Sequence, residues 1–155
     1  MSVWAHANGV IMLSDLFFDE DEKDETIKII KEDILGKTVE YGEDCIGFTT
    51  YMPCGSEGSL DYKIIECSGY TNIIICGNLR DYYEIKDLET WYKNVIDKLN
   101  NLKGIYVREH VFSAYIEYGD KIIITNPKRH DTYDIEYEVI KCGYNESEDK
   151  FTISR

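Results

Sequence analysis

The stretch CGSEGSLDYKII, Cys54 to Ile65, decides how the chain is read. Two glycines and two serines surround Glu57, and an alternating run follows. Backbone amides and serine hydroxyls in such a loop can wrap an anion. A phosphate loop, however, needs its lysine and a helix directly after the glycines. Here Glu57 puts a negative charge into the loop, and the next lysine is Lys63. Leu60, Tyr62 and Ile64 alternate with Asp61 and Lys63, which is the period of a strand. The reading is therefore a turn that launches a strand. Its glycines supply positive φ angles, and Ser56 or Ser59 bonds the turn backbone. Gly55, Ser56, Glu57, Gly58 and Ser59 stay candidates for contacting a ligand or partner.

Near the N-terminus, VWAHANGVIML has strand composition. Val3, Ala5, Ala7, Gly9 and Ile11 share one face, a row of small residues that suits a helix lying close. After the turn CSGYTN, the run IIIC, Ile73 to Cys76, is continuously apolar, as in a strand covered on both sides in mid-sheet. Ile46 to Tyr51 suggests a short strand.

Two helices are expected. Ile27, Ile30 and Ile34 form one stripe, with Asp24 as the cap, the acids before it as a lead-in that complements the helix dipole, and Gly36 as the stop. Ile85, Leu88, Trp91, Val95, Leu99 and Leu102 form a second, stopped by Gly104. IYVREHVFSAYIEY and KIIIT read as strands joined by a hairpin at Tyr118-Gly119-Asp120. TYDIEYEVI continues as a strand with Tyr133, Ile135, Tyr137 and Val139 inward and Asp134, Glu136 and Glu138 outward. A last short strand is expected at Phe151 to Ile153.

The order strand, helix, strand, strand, helix, strand is met most economically by two helices on one face of a mainly antiparallel sheet. That is an α+β, ferredoxin-like two-layer sandwich, in which the first and third strands are central. A chain of 155 residues is one ordinary domain. Its core is expected over about 1–125, with extra C-terminal β-strands over about 126–155.

Thirty acidic residues against 17 basic ones give a net charge of −13. Phosphate contacts need clustered Lys and Arg, so this field opposes direct nucleic-acid binding and attracts basic surfaces. Acidity for solubility is the plainer meaning. The densest run is Asp19, Glu20, Asp21, Glu22, Lys23, Asp24 and Glu25. No apolar run approaches the roughly 20 residues that span a bilayer, and no basic-then-apolar leader follows Met1, so a cytosolic location without membrane contact is expected. Five cysteines, at 45, 54, 67, 76 and 142, show no two-residue spacing of a zinc or redox motif. They read as buried free thiols.

Few residues carry a chemical signature. In GNLRDY, Gly77 to Tyr82, Arg80 is the best ligand-contact candidate, because its planar fork stays charged. The structural reading ties Arg80 to a distant carboxylate and makes Asp81 the cap of the second helix. Tyr82 and Tyr83 are placed to be exposed, and exposed tyrosine favours interfaces. His130-Asp-Thr matches half of a paired His-x-Thr phosphoesterase signature, but neither His6 nor His110 supplies the other half. His6, His110 and His130 are too far apart in sequence for a recognisable metal motif. No G-x-S-x-G elbow is present. NPKRH, Asn126 to His130, is one basic cluster, read as a solvated loop. No cofactor, metal ligand set or catalytic residue is expected.

VWAHANGVI, GSEGSL (Gly55 to Leu60) and GNLRDY together resemble a group of small proteins encoded by tailed bacteriophages and prophages. The pieces are short and lie in the first half of the chain, and no activity comes with the resemblance. It implies expression inside a bacterium. With the acidic and tyrosine-rich composition, this leads to the expectation of a non-enzymatic inhibitor of a host defence protein, such as a CRISPR effector, occupying a groove meant for nucleic acid. The alternative is a protein that captures a nucleotide signal with the 55–60 loop, Arg80, and Lys128 and Arg129 of a neighbouring subunit. An exposed outer strand over 133–139 would allow self-pairing into a dimer.

Overall fold

The computed structural model describes residues 1–15, 19–36, 52–126, 138–145 and 150–154. In chain order the elements are β1 (Trp4–Asp15), α1 (Glu20–Ile29) prolonged by a π-turn (Ile30–Ile34), β2 (Leu60–Cys67), β3 (Tyr70–Arg80), α2 (Ile85–Asn100), β4 (Ile105–Ile116), β5 (Lys121–Thr125), β6 (Glu138–Asn145) and β7 (Lys150–Ser154). The strands form one sheet in the order β2-β3-β1-β4-β5-β6-β7. All six pairings are antiparallel. The protein is thus α+β. Among the described residues no helix is long and apolar enough to cross a membrane.

Both helices feed one apolar cluster with the inward face of the sheet. Why they can come so close is written in β1. Ala5, Ala7 and Gly9 present almost no side chain, and a Cβ added at Gly9 would stand 3.0 Å from Cδ2 of Phe112 on β4. That room lets Phe112 stack on Tyr92 of α2, with ring centroids 4.4 Å apart and planes 14° apart, beside Trp91 at 6.2 Å. All three rings are fully buried. Truncating such a ring to alanine costs about 3–5 kcal/mol.

Alternation holds across the sheet. The register sets Ala7 opposite Gly77 and Ala114, and Ile11 opposite Ile73 and His110, all on the helix side. The opposite face carries Val10, Ile74 and Val111 in one cross-strand row. It is open, with Val10 42% and Val111 45% exposed. The expectation that Ile73 to Cys76 is covered on both sides is therefore corrected. Ile73 and Ile75 are buried, Ile74 is half-buried and Cys76 is exposed, because both helices occupy the same face.

The first helix begins earlier than its apolar stripe suggests. Asp19, not Asp24, is its N-cap, accepting the amide of Glu22 at 2.7 Å. The acidic run therefore lies inside α1, with Glu20, Asp21 and Glu22 in its first turn beside the positive end of the dipole. The buried positions are Thr26, Ile30 and Ile34, a strict step of four. The π-turn, closed by the Leu35 amide donating to the Ile30 carbonyl at 2.9 Å, widens the helix locally and keeps that step on one face. Gly36, at φ 71°, ends it as expected.

The second helix matches its predicted stripe, widened by buried Glu89, Tyr92 and Ile96, and Gly104 has φ 80°. Asp81 does not cap it. The N-cap position is Glu84, which makes no side-chain capping bond. The C-terminal strands extend the same sheet, and Val139 of β6 packs on the core. The sheet edges are β2 and β7. The described end of the 133–139 segment thus sits in β6, between β5 and β7, and not in an outer strand. Asp134, Glu136, the predicted 46–51 strand, and Pro127 to His130 lie outside the described residues.

Candidate functional site

The opening loop is a turn sewn onto the end of β3. Gly55 N–H donates to the Gly58 carbonyl, Ser56 N–H to the Arg80 carbonyl, and Arg80 N–H to the Glu57 carbonyl, each at 2.9 Å. The Ser56 hydroxyl donates to Asp81 Oδ2 at 2.6 Å. Residues 54 and 59 bridge antiparallel before β2 begins. The amides of Gly55 and Ser56, which an anion nest would turn toward its ligand, are engaged inside the fold. Gly58, with φ 77°, supplies the left-handed residue of the turn.

Arg80 is held in the same way. Its Nε and Nη2 donate to Ser2 Oγ at 3.0 and 2.8 Å, and Nη1 donates to Glu57 Oε2 at 2.9 Å. The guanidinium fork thus clamps the N-terminal segment and the turn to β3. This is the distant-carboxylate role that the sequence raised. Asp81 has φ 55° and donates its amide to the Val3 carbonyl at 2.7 Å.

That backbone reversal sends Tyr82 inward, where it is 6% exposed and part of the apolar cluster. Burial first, then the nearby Asp87 and Glu84 carboxylates, raises the pKa of its phenol above the usual range. Its hydroxyl is buried without a hydrogen-bond partner among the described residues. The expectation of an exposed pair is corrected for Tyr82. Tyr83 alone is exposed, at 61%.

The structure assembles one group that local sequence did not show. On the open face His6 Nδ1 donates to Asn78 Oδ1 at 2.6 Å, and His6 Nε2 lies 3.5 Å from Glu117 Oε1. The ring packs on Tyr115 with centroids 4.7 Å apart. A signal existed in the polar alternation of His6 and Asn8 along β1, but the partners come from β3 and from the end of β4. His110 is elsewhere, buried on the helix side with Nδ1 3.0 Å from the Tyr92 hydroxyl. Burial pulls its pKa from 6.5 down to about 4. No group of three or more His, Cys, Asp or Glu residues suited to a metal occurs among the described residues.

Cys54, Cys67 and Cys76 depart from expectation, and the side chains of Cys45 and Cys142 lie outside the described residues. Cys67 and Cys76 are free but exposed, because both stand on the open face. Cys54 is buried and disulfide-bonded.

Among the described residues two surfaces stand open to a partner. One is α1, where Asp19, Glu20, Asp21, Asp24 and Glu25 are exposed and Glu22 is half-buried. The other is the open sheet face. Compared with models of known families, with curated proteins and with solved structures, the chain matches none of them.

Proposed function

We propose that this protein acts by binding another protein and has no reaction of its own. The observation that carries the reading is the exposed acidic helix α1, six acids against one lysine over residues 19–25. A dense negative ridge complements a basic groove, and such pairing steers association and weakens as salt rises. The resemblance to phage-encoded proteins supports a host defence protein in the bacterial cytosol as the partner, with α1 taking the place of nucleic acid. We also read the fold as ferredoxin-like. The support is the order β2-β3-β1-β4 with α1 and α2 as the two crossovers. Residues 1–155 are read as one domain.

Nucleotide capture through the 55–60 loop and Arg80 has less support, since those amides and that guanidinium already have partners within the chain. The test is affinity capture from the bacterial host at low and high salt, with the wild type and the variant D21N/D24N/E25Q. A partner held at low salt, released at high salt and lost by the variant is expected, together with displacement of nucleic acid from that partner. Capture that is indifferent to the variant would remove α1 from the reading. A rise in Tm on adding mono-, di- or cyclic nucleotides would restore the nucleotide reading.

A further inference from the structure

The open face of the sheet has features that neither the acidic helix nor the turn explains. Its middle is uncharged and made of short side chains, with Asn8, Val10, Ile74, Cys76, Val111 and Ser113 in adjoining cross-strand positions. Val10, Val111, Asn8 and Cys76 are exposed. Ile123 of β5, opposite Ser113, extends the patch, and Ile140 of β6 stands opposite Ile123. Short side chains on a regular pleat allow a second sheet to approach to about 10 Å.

The charge distribution says what fits there. The chain carries −13, yet across β1 to β5 Asp61, Glu109 and Glu117 are balanced by Lys63, Lys121 and Arg108, and only Glu138, at the start of β6 opposite Thr125, adds an acid at the margin of the described face. Arg80, at the rim, is already paired with Glu57 at 2.9 Å. The surplus acids of α1 lie in the helix layer, behind the sheet. A nucleic acid would find no positive excess on this face, and a basic protein would find a balanced centre with one marginal acid. A second copy of the same face meets no net repulsion.

The size also fits. The five strands β1 to β5, 5 to 12 residues long with a rise of about 3.4 Å per residue and about 4.8 Å apart, give a footprint on the order of 800 Å², near the roughly 800 Å² per partner of a stable interface. Edge pairing is less suited, because β2 carries Asp61, Lys63 and Glu66 along one of the two sheet edges, and charges there discourage strand addition.

We infer that two copies of this chain stack through their open sheet faces, Val10 and Val111 at the centre, forming a two-fold dimer. The two acidic α1 helices then point outward on opposite sides. The dimer is therefore bivalent toward whatever α1 binds, and a tethered second site raises avidity without a new contact. This inference does not depend on the identity of the α1 partner, and its test measures mass alone.

Sedimentation or light scattering of the intact protein should report twice the 18.1 kDa chain mass, at low and high salt alike. Val10→Lys and Val111→Glu change exposed positions and should leave the circular dichroism spectrum and Tm near wild type. Each should raise the dimer dissociation constant roughly tenfold or more, since two unpaired charges enter a dry interface. As a second probe, Cys67→Ser protein treated with a bulky maleimide should run as a monomer, while the Cys67→Ser/Cys76→Ser control treated in the same way should stay dimeric, which assigns the effect to the Cys76 label. A wild-type protein that stays monomeric at high micromolar concentration overturns the inference, as does a dimer that survives both the charge variants and the Cys76 label.

Discussion

The carboxylate of Glu89 on α2 lies 3.2 Å from Nζ of Lys141 on β6 and 2.8 Å from Nζ of Lys93 one turn along the helix. Among the described residues Glu89 is the one acidic side chain in the buried set, with its side chain 12% exposed. Burial raises its carboxyl pKa, but the hydrogen bonds and charges of Lys93 and Lys141 outweigh that and leave it lowered. The pair fastens the C-terminal strands to the helix layer, so β6 is part of the fold's energetics and not a loose appendage.

Glu89→Ala should therefore destabilise the whole molecule by about 1–3 kcal/mol, because the lysines lose a shielded partner. Lys141→Ala should cost less, near 1 kcal/mol or below, since its side chain is 56% exposed. Urea unfolding of both single variants and the double variant gives the coupling. Strictly additive effects would show that the contact holds nothing together.

A second prediction concerns acid. The unfolded chain protonates His110 near pH 6.5, whereas the folded chain does so only near 4. The unfolded state thus binds the extra proton first. The stabilisation is fully present above pH 6.5 and drains away as pH falls toward 4, by up to roughly 3 kcal/mol. Glu89 acts lower still. Its lowered value means that its contribution is present above its ordinary 4.5 and is lost below it. His110→Gln should lower stability at pH 7 but flatten the curve between 6.5 and 4. Urea midpoints at pH 7, 5.5 and 4.5 decide the matter, and an equally steep curve in the variant would show that another group is responsible.

These relationships explain what could be read from the sequence and what could not. The α2 stripe, the alternation of β2, the small face of β1 and the stops at Gly36 and Gly104 are local, and period and propensity report them directly. The burial of IIIC is not local, since apolar Ile74 looks the same whether a helix covers it or water does. The start of α1 was hidden because Asp19 and Asp24 are both competent caps, and only the backbone shows which one accepts an amide. Arg80 and Ser2 are 78 residues apart, and His6 and Asn78 are 72 apart. Such pairs follow from the antiparallel register of β1 and β3, which no short window contains. Tyr82 turns inward for the same reason. Its direction is set by the reversal at Asp81, whose amide is held by Val3.

The close approach of the 55–59 turn to β3 can be tested at its glycines. A Cβ at Gly55 would overlap the Arg80 carbonyl oxygen and come within 2.6 Å of the Arg80 amide nitrogen, both backbone atoms that cannot move aside without lifting the turn from β3. Gly69, in the β2–β3 hairpin, has φ 77° but nothing within 4 Å of its added Cβ. The two glycines therefore separate close approach from backbone strain. Gly69→Ala should cost only about 1 kcal/mol, the price of the left-handed backbone, and lower Tm by about 2–4 °C. Gly55→Ala should cost about 2–4 kcal/mol, as an overlap with fixed backbone does, and should also release the Ser56 and Glu57 contacts to β3. Thermal unfolding compares the totals, and amide hydrogen exchange at Ser56 and Arg80 reports the docking itself. Equal losses at the two glycines, with those amides still protected in Gly55→Ala, would mean that the turn can stand off from β3 and that the Arg80 clamp does not depend on this close approach.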